Sequence, residues 1–288
     1  MLEPKMMQRI LGFQKSEITE HAIYEKLSLA AREPKNREVL KKIADEELGH
    51  YHFWKKITGR EMTPDPLKIA WYVFISKCLG LTFGLKLMEK GEDKAQAAYR
   101  EILPYVPNAD FIEKDEAVHE HELLNMIDEE RLQYIGSAVL GLNDALVELT
   151  GALAGFTFAL QNSRLIAAVG LITGIAASLS MAASEYLSTK TEGGKHPGKA
   201  ALYTGTAYIF AVFCLILPFL VLNKVYLSLA WSLIHVILII LGFTFYTSVA
   251  KDLPFAKRFL EMLGISLGVA TLTFVIGYIV RSVFNVEV

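Results

Sequence analysis

The hydrophobic and polar positions divide the chain into two halves of opposite character. Residues 1–134 are rich in charged side chains, whereas residues 135–288 consist of long apolar runs separated by short polar segments. A helical run of this length can cross a hydrocarbon core of about 30 Å. The pattern therefore predicts five membrane-spanning helices in the second half. They are expected at about 136–160, 165–187, 200–222, 226–250 and 259–281.

Four helical segments are predicted in the first half. Pro34, Gly59, Pro104 and Pro107 mark the breaks between them. Four long helices joined by short turns are typical of a helix bundle. The segments are expected at about 5–31, 36–58, 67–102 and 111–132.

An apolar stretch at 68–88 could be taken for a sixth membrane span. It carries Lys77 at its centre and Lys86 near its end, and both charges are costly in lipid. Spanning there would also place Glu47 and Glu89 on opposite sides of the bilayer. We interpret the stretch as the buried start of the third bundle helix, with an oligomer or membrane-surface contact as an additional role.

One four-residue spacing, Glu-x-x-His, occurs twice in the first half, in the second and fourth predicted helices. Positions i and i+3 share a helix face, so each copy directs a carboxylate and an imidazole to the same side. Two such helices, with a glutamate from each of two others, form the dinuclear metal site of ferritin-like bundles. The predicted metal ligands are Glu17, Glu20, Glu47, His50, Glu89, Glu92, Glu116 and His119. Whether Glu17 or Glu20 serves as the ligand of the first helix is left open.

This ligand set suits a pair of iron ions. Carboxylates can bridge two irons and balance their charge through Fe(II) and Fe(III), while the histidines add nitrogen donors. Glu89 and Glu92 would permit ligand switching on oxidation, and Tyr24 is a candidate hydrogen-bond partner around the site. Manganese and zinc are the alternative metals, although a zinc site needs fewer acidic ligands. We interpret Glu46, Glu113 and Glu120 as solvated surface charges, and His52 and His121 as outer or surface groups.

Two pairs of candidate metal ligands lie inside the predicted membrane spans. Asp144 and Glu148 lie four residues apart in the first span, and Met181 and Glu185 lie four apart in the second. Carboxylates in lipid are expensive and indicate function, and oxygen with thioether ligands suits a divalent metal such as Fe(II). Each residue also has an interpretation without metal binding. Asp144 and Glu148 could lie at the membrane interface, Glu185 could be a charge at the end of its span, and Met181 could be a packing residue. His235 is interpreted as a packing histidine with a satisfied hydrogen bond.

Composition and charge narrow the class of protein further. A formal net charge of −2 gives no reason to expect nucleic-acid binding. The two cysteines, one in each half, exclude a disulfide scaffold and a four-cysteine iron centre.

The N-terminus and the loops between the spans predict the orientation in the membrane. The chain starts polar, without the apolar core of a signal peptide. The loops on the side of the membrane predicted to be cytoplasmic contain six basic residues, and those on the opposite side contain three. Both observations predict a protein of the cell membrane whose first half lies in the cytoplasm. Dense small residues predict that the first two spans form the packed centre and a dimer seam.

Two family resemblances cover nearly the whole chain. Residues from about 5 to 131 resemble the rubrerythrin and erythrin branch of the ferritin-like superfamily, through the glutamate, histidine and Tyr24 positions given above. Residues from about 132 to 285 are similar to the vacuolar iron transporter family in the segments 141–155 and 180–187. The fold class expected is all-α, with a ferritin-like four-helix bundle over residues 1–131 and a five-span membrane domain over residues 132–288.

The combination resembles the membrane-bound ferritin proteins of prokaryotes, which are linked to iron export and peroxide defence. The resemblance implies a homodimer in the lipid bilayer that exchanges Fe(II) for protons. It places Asp144 and Met181 on the metal path, with Glu148 and Glu185 as co-ligands. The loop at 189–199 is shorter than the metal-binding segment of plant-type relatives, and the rubredoxin-like domain of rubrerythrins is missing, so the electron donor would be external.

Two functions follow as hypotheses. The first is export of cytoplasmic Fe(II), or Mn(II), with the ferritin-like domain capturing, oxidising or sensing iron or peroxide. The second is a membrane-anchored di-iron peroxidase or ferroxidase whose spans serve mainly as an anchor. A closed storage shell is disfavoured by five spans. The sequence leaves open the metal preference, the direction of transport, the physiological reductant, and whether the di-iron site is catalytic or regulatory.

Overall fold

The computed structural model describes residues 4–31, 33–88, 102, 105–125 and 134–284. All regular elements in the described residues are helices, as predicted. The chain divides into two compact units, Met1–Leu132 and Gln133–Val288. We call them the soluble unit and the membrane unit. Among the described residues, the soluble unit contains the α-helices α1 (Pro4–Ala30), α2 (Pro34–Thr58), α3 (Pro66–Leu79) and α4 (Asp110–Asn125), and a 3-10 helix (Pro107–Ala109) precedes α4. Those of the membrane unit are α5 (Ile135–Leu160), α6 (Ser163–Thr191), α7 (Pro197–Val221), α8 (Val225–Ala250) and α9 (Phe255–Phe284).

Helices α1 and α2 form an antiparallel pair that carries the core of the soluble unit. At one end of the pair, Ile23 and Leu27 of α1 pack with Leu40 and Ile43 of α2. At the other end, Trp54 of α2 lies in a second apolar cluster with the start of α1 and with residues of α4. Glu17 of α1 and Glu47 and His50 of α2 are buried between these two clusters, so apolar packing at both ends holds them in place.

The third predicted helix departs from expectation, because it ends at Leu79 instead of continuing to residue 102. Asp65 caps its start by accepting hydrogen bonds from the Leu67 and Lys68 amides at 3.1 and 3.2 Å. Gly80 has a φ of 111°, a conformation that favours glycine, and it separates α3 from helical residues 81–88. The rest of the predicted third bundle helix falls outside the described residues, so the four-helix bundle stays a prediction.

The membrane unit contains the five predicted spans. Among the described residues, five helices are long and apolar enough to cross a membrane, and they are α5 to α9. Residues 68–88 are not among them. These findings support a multi-pass membrane protein.

Packing within the membrane unit centres on α5, which contacts α9 and α7 most extensively. The approach is close at two places. A Cβ atom on Gly141 would lie 2.3 Å from the carbonyl oxygen of Thr204 in α7, and one on Gly277 would lie 2.3 Å from that of Gly155. The Thr273 hydroxyl also donates to the Gly151 carbonyl at 2.6 Å. Small residues therefore permit direct backbone contact between α5 and its two neighbours.

Helix α6 is less central than its small residues predicted. It packs mainly against α7 and exposes most of its surface in the single chain. Gly170 and Gly174 face Ile216 and Val212 of α7, whereas Ala176 and Ala183 are exposed. Small residues indicate a close approach, but they do not identify the partner.

A proline inside α7 explains the position of His235. Pro218 has no amide hydrogen, so the carbonyl of Cys214 one turn earlier loses its helical partner. His235 Nδ1 of α8 lies 2.7 Å from that carbonyl oxygen and donates to it. Ser232, one turn away, donates to the Leu215 carbonyl at 2.9 Å. His235 is thus the satisfied packing histidine that the sequence predicted.

Candidate functional sites

The soluble unit brings four predicted ligands together. Glu17 of α1, Glu47 and His50 of α2 and Glu116 of α4 each offer one ligand atom, and these atoms lie within 4.8 Å of one another. Glu17, Glu47 and His50 are buried, and Glu116 is half-buried. Since buried carboxylates are costly without compensating partners, three of them around one imidazole form a site suited to a cation.

His119 of α4 adds a second imidazole to the cluster. Its Nδ1 lies 3.2 Å from Glu47 Oε1 and 3.8 Å from Glu116 Oε2. His50 Nδ1 lies 3.3 Å from Glu47 Oε2 and 3.8 Å from Glu116 Oε1. Each of these two carboxylates therefore directs one oxygen to each imidazole. This is the arrangement expected of carboxylates that bridge two metal ions.

The far side of each imidazole meets a carboxylate from the opposite helix. His50 Nε2 of α2 lies 3.2 Å from Asp115 Oδ2 of α4, and His119 Nε2 of α4 lies 2.8 Å from Glu46 Oε2 of α2. An Nε2–H donated outward leaves the Nδ1 lone pair directed at the site, and it raises the basicity of the imidazole as a ligand. The interpretation of Glu46 as a solvated surface charge was wrong, because it contacts His119. The sequence did contain a signal for these contacts, because an acidic residue, Glu46 or Asp115, directly precedes each Glu-x-x-His motif.

Aromatic side chains close the buried side of the cluster. Trp54 Nε1 donates to Glu17 Oε1 at 3.3 Å. Phe111 meets the His50 ring edge-on with ring centroids 5.7 Å apart, and Phe53 packs against Phe111 at 5.2 Å. Sequence reasoning did not single out these three residues, because aromatic residues at helical spacing usually fill cores. Trp54 is fully buried, and such buried apolar surroundings strengthen the electrostatic interactions inside the site.

The pKa values of the cluster reflect its burial and its charges. Burial raises the pKa of Glu17 to about 7, with the neighbouring Glu47 charge adding to the effect. Burial opposes the charged form of His50, but Glu17 and Glu47 outweigh it and raise its pKa to about 11. Burial also lowers the pKa of His119, but interactions with Glu116 and Glu47 outweigh this effect and raise its pKa to about 10. For Glu47, burial and Glu116 favour the neutral form, yet hydrogen bonds with His119 and His50 lower the pKa.

These shifts predict that the metal-free soluble unit loses stability in alkaline solution. A histidine whose pKa is raised from 6.5 to about 10 or 11 stabilises the fold fully below pH 6.5. That stabilisation is lost as the pH rises through the folded pKa values. The free energy of opening of α2, measured by amide hydrogen exchange with chelator present, should therefore fall between about pH 7 and pH 10.

The control for this prediction is His119→Gln, which removes one of the two titrating groups. The pH dependence of α2 opening should be shallower in this variant than in the wild type. An opening free energy independent of pH over the same range would contradict the prediction.

The remaining predicted ligands of the soluble unit are placed as follows. Glu89 and Glu92 lie outside the described residues. Glu20 is half-buried on α1, and the group of ligand atoms described above contains Glu17 instead. Tyr24 is buried in the apolar cluster between α1 and α2. The structure thus assembles five predicted ligands from three helices, namely Glu17, Glu47, His50, Glu116 and His119.

In the membrane unit, Asp144 and Glu148 lie one turn apart on α5. Asp144 is half-buried and Glu148 is exposed in the single chain. The buried Tyr208 of α7 donates its hydroxyl to Glu148 Oε2 at 3.2 Å. Tyr208 was missed from the sequence, because a tyrosine within a span is usually a packing residue. Its hydroxyl fixes the orientation of a carboxylate that would otherwise have many rotamers.

The second pair lies on α6. Ser137 at the start of α5 donates to Glu185 Oε1 at 2.6 Å, and the Thr204 hydroxyl of α7 donates to the Ser137 carbonyl at 2.9 Å. Met181, one turn from Glu185, is half-buried and packs against the core of the membrane unit. Glu185 is therefore tied into a polar contact between three helices, which a simple boundary charge would not require.

Comparison with known proteins gives one finding for the membrane unit. None of the curated proteins and none of the solved structures matches the chain. The model of the VIT family matches residues 135–195. The similarity to the VIT family therefore covers α5 and α6, the two membrane helices that carry Asp144, Glu148, Met181 and Glu185.

Proposed function

We propose that the chain is a membrane metal transporter that exports Fe(II), or Mn(II), from the cytoplasm in exchange for protons. The observation that carries the proposal is the pair Asp144 and Glu148 on a membrane helix within the segment that matches the VIT family. Ionisable residues in membrane spans mark ion pathways, because leaving them there without a function is costly. Met181 adds a thioether that suits a divalent transition metal.

Proton exchange follows from the chemistry of the same residues. A carboxylate binds a divalent metal only in its deprotonated form, so metal binding releases protons and metal release permits their return. Tyr208 donates to Glu148 and Ser137 donates to Glu185, so both carboxylates have a fixed hydrogen-bond donor. These donors can hold the oxygens in position between successive ions.

A homodimer belongs to the same proposal. Glu148 is exposed in the single chain and would face lipid, where a carboxylate is unfavourable. A second copy seated on this side of α5 would shield Glu148 and could supply a second set of carboxylates to the path. In the same proposal, the soluble unit lies on the cytoplasmic side of the membrane, as the distribution of basic loop residues predicts.

The soluble unit is proposed to hold two iron ions as a capture or oxidation site. The donor set fits, because Glu47 and Glu116 each direct one oxygen to each of two imidazoles, and Glu17 adds a third carboxylate. A bound iron pair would supply one-electron redox chemistry toward peroxide or dioxygen. The chain itself orients the imidazoles through Asp115 and Glu46 and excludes water with its aromatic residues.

Flux measurements on the full chain in liposomes test the transport proposal. Wild type should move Fe(II) across the bilayer with a counterflow of protons reported by a trapped pH dye. Asp144→Asn keeps the side-chain shape but removes the charge, and it should lower Fe(II) flux by about tenfold or more, as expected for loss of a metal ligand. The control is Glu192→Gln, which alters an exposed carboxylate after α6. Equal flux in wild type and Asp144→Asn would overturn the proposal.

A second candidate function is a membrane-anchored di-iron peroxidase or ferroxidase. It is favoured by the burial of Glu17, Glu47 and His50 behind aromatic side chains. The same preparations distinguish the two functions. The enzyme function predicts two results. The wild-type chain should move no metal across the bilayer, and Asp144→Asn should consume peroxide in the presence of Fe(II) at the wild-type rate. The spans would then serve as an anchor.

A further inference from the structure

Helix α3 carries an apolar face that the proposed function does not use. Leu67 is 81% exposed, Trp71 57% and Phe74 61%. The spacing i, i+4, i+7 places the three side chains on one side of the helix, and we call them the α3 face. Ile69 lies on the opposite side and is buried. Helix α3 is therefore docked by one side and presents large apolar groups on the other, which is unusual for a surface in contact with water.

Two lysines border the α3 face on its two sides. At 100° per residue, Lys68 lies to one side of the apolar stripe and Lys77 lies to the other, and both are exposed. Residues 66–88 contain three lysines and no acidic residue. The neighbouring Asp65 carboxylate is engaged as the cap of α3. Within residues 66–88, the charged side chains on and around the stripe are thus all positive.

We propose that the α3 face lies in the headgroup region of an anionic lipid bilayer, the one that the chain's own membrane helices cross. An apolar stripe with tryptophan at its centre and lysines at its borders is the pattern of a helix lying in the membrane plane. The lysine stems can follow the apolar surface while their ammonium groups reach lipid phosphates. The five apolar spans of the same chain keep a bilayer within reach.

The charges favour lipid over a second copy as the occupant. Two α3 faces packed against each other would bring Lys68 and Lys77 of both copies together without an acidic partner in residues 66–88. Like charges at such an interface are unfavourable, whereas anionic phosphates neutralise them. The inference does not depend on metal transport, because it uses only α3 and the presence of a membrane.

Spin-label accessibility in the full chain tests the inference. The background is Cys78→Ser with Cys214→Ser, and the label is attached to Trp71→Cys in nanodiscs of phosphatidylcholine with phosphatidylglycerol. Collisions with oxygen, which concentrates in lipid, should exceed those with the water-soluble relaxant nickel–EDDA. A label at Lys35→Cys, an exposed position on α2, is the control and should show the reverse order.

Charge reversal keeps the inference falsifiable if the label itself disturbs α3. Lys68→Glu with Lys77→Glu should remove the preference of the label for oxygen, while iron binding by the soluble unit stays unchanged. Equal relaxant accessibility at positions 71 and 35 would overturn the inference. Spin–spin broadening between labels at position 71 would also overturn it, because a second copy would then be the occupant.

Discussion

Replacing Glu47 with glutamine should abolish metal binding at the proposed two-iron site of the soluble unit. Glu47 directs Oε2 to His50 and Oε1 to His119 at 3.3 and 3.2 Å, so one side chain serves both sides of the cluster. The amide keeps the volume but loses the charge and one acceptor oxygen. Loss of an outer hydrogen-bond partner alone costs metal sites about 10–100-fold in affinity, so loss of a shared ligand should cost about 100-fold or more.

Metal content after dialysis and equilibrium titration of the full chain measure this effect. Glu38→Gln changes an exposed carboxylate on the same helix and should bind iron as wild type does. Glu46→Gln removes the negative charge of the group that accepts from His119 Nε2 and should give an intermediate loss of about tenfold. Full iron stoichiometry in Glu47→Gln would show that the cluster does not bind metal in the way proposed.

Replacing Gly277 with alanine should strongly destabilise the membrane unit. The new Cβ would lie 2.3 Å from the Gly155 carbonyl oxygen, and a backbone atom cannot move aside as a flexible side chain can. Relief requires α9 to shift away from α5, which also strains the hydrogen bond from Thr273 to the Gly151 carbonyl. Overpacking of this kind costs about 1–3 kcal/mol.

Gly268 supplies the matched control on the same helix. A Cβ at Gly268 meets nothing within 4 Å, so Gly268→Ala should be neutral or slightly stabilising through helix propensity. Thermal unfolding in detergent should place Gly277→Ala below both wild type and Gly268→Ala. Coincident unfolding curves for the two variants would mean that α5 and α9 do not pack through these glycines.

The spans and the ligand helices could be predicted because each depends on local spacing. Five apolar runs of membrane length need no knowledge of tertiary structure. The doubled Glu-x-x-His spacing places each carboxylate beside its imidazole within one helix turn. The break at Gly80 was missed, because a single glycine within an apolar stretch is also compatible with a continuous helix.

Contacts between helices account for what sequence reasoning missed. Glu46 and Asp115 each precede a metal-ligand candidate on their own helix, yet each contacts the imidazole of the other helix. Helical periodicity predicts which face a residue occupies, but not which residue of a neighbouring helix it meets. Tyr208 and Glu148, sixty residues apart, illustrate the same limit in the membrane unit.

The proline in the last turn of α7 has a mechanical consequence. A proline inside a helix commonly permits local bending, because it leaves a carbonyl one turn earlier without its helical partner. In this chain His235 and Ser232 of α8 occupy the carbonyls next to Pro218. Bending at Pro218 would break both hydrogen bonds in a medium that offers no replacement. The end of α7 and the facing part of α8 are therefore expected to move together.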